Sequence, residues 1–94
     1  MKINRHEKLV LYTLKWIDKC INLNLLPGDC LSHEGQAIKV KFNKRKVEKA
    51  LKNFNPSNEE MLVMFFLMVD EGIVNESACN NFIENCYPSF LDRN

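Results

Sequence analysis

The apolar positions of this chain concentrate in one run, Met61-Leu62-Val63-Met64-Phe65-Phe66-Leu67-Met68-Val69. Polar residues fence it, Ser57-Asn58-Glu59-Glu60 before and Asp70-Glu71-Gly72 after. A membrane span needs about 20 apolar residues, so this run is far too short. A buried strand would match the length, but the flanks specify a helix. Ser57-x-x-Glu60 has the form of a capping box: the serine oxygen accepts from the backbone N–H of Glu60, and the glutamate reaches back. Pro56 sets a boundary ahead of it, and Gly72 suits the left-handed residue just past a helix end. Met, Leu and Phe outnumber Val, which also favours helix. The pattern predicts a helix over 58–71. A helix apolar on every side is expected to be buried on every side, at about 1.5–3 kcal/mol per fully buried large side chain. The competing reading is a Met/Phe-rich groove that receives a partner helix.

The rest of the chain is expected to wrap this helix. A first helix is predicted over 5–22, capped by Asn4-x-x-Glu7. Val10, Leu14, Ile17 and Ile21 fall at helical spacing, with Trp16 expected in the core. Pro27-Gly28-Asp29 is a turn. Ile38-Lys39-Val40-Lys41-Phe42 alternates apolar and polar, the strand period, with His33-Glu34-Gly35-Gln36 as the turn before it and Cys30-Leu31 as the opposing arm. That predicts a short β-hairpin near 30–42 lying on the helices. A second helix follows at about 44–53, with Asn43 as its cap and Val47, Ala50 and Leu51 as its stripe. A last helix begins near Asn75, places Cys79, Phe82, Ile83 and Cys86 on one face, and ends at Tyr87-Pro88. Ser89–Asn94 is a tail pinned by Phe90 and Leu91. The fold class is therefore mainly α: a small four-helix domain around a central apolar helix, with a short hairpin. Residues 1–94 form a single helical domain, as 94 residues, 46% hydrophobic and 27% charged, suggest.

Charge changes this picture more than composition does. The net charge is +1. Residues 1–52 carry twelve Lys and Arg against five acids, while residues 53–94 carry one Arg against seven acids. Such asymmetry marks either a partner-binding face or two complementary halves docked on each other. Its sharpest part is a basic run, Lys39, Lys41, Lys44, Arg45, Lys46, Lys49 and Lys52, interrupted by one acid, Glu48. An acidic protein surface or phosphates would pair with it. Asp70 and Glu71, at a helix C-terminus where the dipole disfavours them, are a second candidate contact.

Catalytic and metal chemistry find little support. Cys20, Cys30, Cys79 and Cys86 show no close CxxC spacing. Cys79 and Cys86 are about 10 Å apart along a helix, too far for a disulfide. Buried reduced thiols are the expected state, with a Cys30/His33 metal site as the weaker reading. Three scattered glycines cannot make a phosphate loop. Residues 76–85 contain no Lys or Arg, which excludes a recognition helix there. No enzyme, cofactor or metal is expected. The start of the chain lacks an apolar signal stretch, so a cytoplasmic location is expected. The expected function is a small non-catalytic binding module that docks on a larger protein or complex and modulates or inhibits it. Phages and mobile elements encode inhibitors of this motif-poor, helical kind. Nucleic-acid binding through residues 39–52 is the alternative, and homodimerisation a third possibility. No membrane association is expected.

Overall fold

The computed structural model describes residues 3–41 and 44–86. The described chain is mainly helical: α1 (Arg5–Asn22), α2 (His33–Lys41), α3 (Lys44–Leu51), α4 (Asn58–Asp70) and a final segment that starts as a 3-10 turn (Glu76–Ala78) and continues as the short α5 (Cys79–Asn81). A π turn (Phe82–Cys86) closes it. The expected Asn43 cap, the Tyr87-Pro88 stop and the tail contacts of Phe90 and Leu91 lie outside the described residues.

Local chemistry sets the ends of the two main helices. Asn4 Oδ1 accepts from the N–H of Glu7 at 2.8 Å, and Glu7 Oε1 accepts from the N–H of Asn4 at 3.2 Å. Ser57 Oγ and Glu60 Oε1 make the same reciprocal pair for α4, both at 3.1 Å. Each box satisfies two N–H groups that the first helical turn would leave unpaired. Gly72 adopts φ +77° just past α4, the conformation that lets the N–H of Ile73 reach the carbonyl of Met68 at 2.8 Å. Asn24 and Asn53 adopt φ of 60° and 63° after α1 and α3, the other residue type that tolerates this region.

The core lies where α1 packs along α4 and the final segment closes over them. Leu14, Ile17 and Cys20 come from α1, and Met61, Met64, Phe65 and Met68 from α4. Ala78, Phe82 and Cys86 complete it. Phe65 stacks on Phe82 with ring centroids 3.7 Å apart and planes 8° off parallel, so two large rings share one dry contact. Trp16 is half-buried against the core, with Lys19 Nζ 4.7 Å from its ring centre. Thr13 is fully buried, and its hydroxyl donates to the carbonyl of Leu9 at 2.8 Å.

Three expectations change. The hairpin is not formed: residues 33–41 are helix, and the β-pairing among the described residues is a single bridge, Leu31 to Val74. Ser32 is the physical reason. Its Oγ accepts from the N–H of Gly35 at 3.1 Å and its carbonyl accepts from Gln36, a helix start that a hairpin turn cannot use. Ser32 Oγ also donates to the carbonyl of Ile73 at 3.0 Å, tying α2 to the loop after α4. The alternation of Ile38 and Val40 is not a strand face: Ile38 packs on the core, and Val40 is 77% exposed. Secondly, α4 is not buried all round. Val63, Phe66 and Leu67 remain open to solvent. Thirdly, the wider π turn brings both Phe82 and Cys86 into the core and turns Ile83 outward.

Candidate functional site

The basic run is carried by the α2–α3 arm. Lys39 and Lys41 lie on α2, Lys44, Arg45, Lys46 and Lys49 on α3, and Lys52 just past it. All seven are exposed. On α3, Val47, Ala50 and Leu51 turn towards α1, with Leu51 buried. That orientation is dictated by the 3.6-residue period, which places Arg45, Lys49 and Lys52 in a line on the opposite side. Amphipathic packing thus converts a mixed sequence into a cationic ridge.

The ridge is narrower than the sequence implies. Lys39 Nζ forms an ion pair and hydrogen bond with the carboxylate of Asp18 on α1. This anchors α2 and neutralises one of the seven cations. Between α1, α2 and α3 runs an open cleft of about 350 Å³, with Leu11, Leu14 and Val47 as its apolar lining and Lys15, Lys44 and Glu48 beside the Lys39–Asp18 pair. Lys44, Arg45, Lys49 and Lys52 have no carboxylate in ion-pair range among the described residues. These four are the core of the candidate contact.

The second candidate, Asp70 and Glu71, stands apart from this ridge at the far end of α4, exposed. The last turn of α4 contains no basic residue. Beside these acids lies the open row Val63, Phe66 and Leu67, which are 58%, 39% and 44% exposed, on the helix whose apolar run also admitted the reading of a groove for a partner helix. A signal was present: a thirteen-residue helix with no polar side chain between Glu60 and Asp70 offers more apolar surface than a small domain can cover.

Three of the cysteines, Cys20, Cys30 and Cys86, make a buried cluster. Cys20, Cys30 and Cys86 are each 1% exposed or less, and Cys79 is half-buried. Cys86 donates its S–H to Cys20, and that bond together with burial holds its proton well above the usual thiol range. Burial, reinforced by the charge of Asp29, pushes Cys30 up to about 11. Burial also raises Cys79, with Glu76 adding to it. A thiol so shifted is a poor nucleophile near neutral pH. The Cys30/His33 reading gains nothing, since no group of three or more His, Cys, Asp or Glu suited to a metal occurs among the described residues. His6 and His33 are both exposed. No described helix is long and apolar enough to cross a membrane.

No family model, no curated protein and no solved structure matches the chain.

Proposed function

We propose that this chain is a small non-catalytic binding module that docks through the α3 ridge on an acidic surface of a larger protein or complex, and modulates or inhibits it. The observation that carries this reading is the state of α3: its apolar side is engaged by α1, while Lys44, Arg45, Lys49 and Lys52 project without an acidic partner among the described residues. Cations in that arrangement steer an oppositely charged surface into register. Four free cysteines, three of them buried, are in keeping with a reducing, cytoplasmic setting. Inhibitors encoded by phages or mobile elements would have this build.

The test is affinity capture from cells of the native source with the wild-type chain and with Lys44→Glu/Arg45→Glu/Lys46→Glu. All three residues are exposed, so the circular dichroism spectrum and melting temperature should be retained. A partner captured by the wild type should be lost with the variant. Retention of the partner by a folded variant would place the contact elsewhere.

Nucleic acid is the second reading, because the same four cations, without an acidic partner among the described residues, suit phosphates. It requires affinity that falls by roughly 0.7–0.9 log unit per log unit of salt for each phosphate neutralised. Absence of a gel shift at low salt removes it.

A further inference from the structure

The open side of α4 carries a second surface with its own partner chemistry. Val63, Phe66 and Leu67 occupy i, i+3 and i+4 on one face of this helix, 58%, 39% and 44% exposed. Helical geometry puts Glu59 and Asp70 on the same face, one at each end of the row. The N-terminal acids are not alike. Glu60 closes the capping box and pairs with Arg5 at 2.6 Å. Glu59 does neither, and no cation among the described residues pairs with Glu59, Asp70 or Glu71. Asp70 and Glu71 also lie at the negative end of the helix dipole, where carboxylates oppose the backbone field. We propose that the Val63–Phe66–Leu67 face of α4, bounded by Glu59, Asp70 and Glu71, is a docking surface for a cationic amphipathic helix of a partner protein.

Charge selects this occupant over the others. Two copies joined through α4, parallel or antiparallel, would set acids against acids at both ends, because α4 has no basic residue. The chain's own basic helix cannot serve in trans, since α3 has turned its Val47, Ala50 and Leu51 towards α1. An anionic membrane surface would be repelled by the same carboxylates. A helix with an apolar ridge flanked by Lys or Arg satisfies every element: the ridge covers Phe66 and Leu67, and the cations reach acids that lack ion-pair partners among the described residues. They would also offset the unfavourable charge at the α4 C-terminus.

The experiment uses the full chain, ¹⁵N-labelled, titrated with two synthetic fifteen-residue helical peptides. Both carry the same leucine ridge; one is flanked by Lys and the other by Glu. The Lys-flanked peptide should shift the amides of residues 59–71 saturably, and the Glu-flanked peptide should not. Leu67→Ser/Val63→Ser should abolish the effect. Asp70→Lys/Glu71→Lys should weaken binding by about tenfold while leaving the melting temperature equal or higher, because it relieves the dipole conflict. A merely structural role for these acids would lower it. The triple change at Lys44, Arg45 and Lys46 should leave peptide affinity unchanged, which separates this surface from the α3 ridge. No saturable shift, equal binding of both peptides, binding to anionic phospholipid vesicles through α4, or concentration-dependent self-association that Leu67→Ser removes would each overturn the proposal.

Discussion

Helices α3 and α4 solve opposite problems. α3 has eight residues, one of them buried. Its polarity guarantees that most of it stays wet, and its few apolar positions fix which side meets α1. α4 has thirteen residues, and nine consecutive ones are apolar. Its inner side is dry at Met61, Met64, Phe65 and Met68, while Val63, Phe66 and Leu67 are left uncovered. For α3, pattern alone determines the face. For α4 no pattern exists, and the surrounding elements decide which side is sealed. An all-round apolar helix signals either full burial or an interface, and only the size of the enclosing shell separates them.

Two neighbouring phenylalanines of α4 fall on opposite sides of this division. Phe65 is 0% exposed and stacked on Phe82, whereas Phe66 is 39% exposed. Phe65→Ala should cost about 3–5 kcal/mol through lost burial and a cavity. That is a large part of the roughly 5–15 kcal/mol that holds a domain of this kind folded. Phe66→Ala should cost about 1–2 kcal/mol, from the edge contact with Phe65 at 5.7 Å and the covered part of the ring. Urea unfolding of both variants measures the difference. Equal costs would mean that α4 is sealed on both sides in solution.

The sequence made much of this legible where the deciding contacts are local. Both capping boxes, the left-handed Gly72 and the outward lysines of α3 depend on residues within a turn of each other. The α2 segment was not legible, because its alternating Ile38-Lys39-Val40-Lys41 carries a strand period that no second strand supports. What makes it helical is the side chain of Ser32, and what holds it in place is Ile73, 41 residues away. The π turn at Phe82–Cys86 accompanies the stacking of Phe82 on Phe65, another distant contact. Of the candidate site, the ridge Arg45, Lys49 and Lys52 could be read from spacing. The pairing of Lys39 with Asp18 could not, since it joins two helices.

A second comparison tests whether the basic arm and α4 unfold together. Gly35 is buried, and a Cβ there would lie 2.4 Å from the backbone carbonyl oxygen of Ile73, with nowhere for a backbone atom to retreat cheaply. Gly35→Ala should therefore cost about 1–3 kcal/mol. Gly28→Ala, where a Cβ meets nothing within 4 Å, serves as the control with little change. Amide exchange reads the outcome. Uniform loss of protection across α1 to α4 makes the arm and the core one cooperative unit. Loss confined to residues 33–51 would make the α3 ridge a separately opening element and weaken the contrast with α4.

The smallest expected effect concerns how α4 begins. The Glu60 carboxyl is held below its usual range, first by the N–H of Ser57 and then by the Arg5 guanidinium beside it. The folded-state value thus lies below the unfolded one of about 4.3. The sign follows from proton linkage: the ionised form is favoured by folding, so its contribution is complete above the unfolded value and disappears as pH falls through the depressed folded value. Glu60→Gln keeps the capping geometry but removes the titration. Thermal melts between pH 6 and about pH 3 should therefore fall less steeply for the variant than for the wild type. Matching slopes for Glu60→Gln and the wild type would show that the charge on Glu60 adds nothing to the hold of α4 on α1, leaving the dry contacts of Met61 and Phe65 to fix that end of the helix alone.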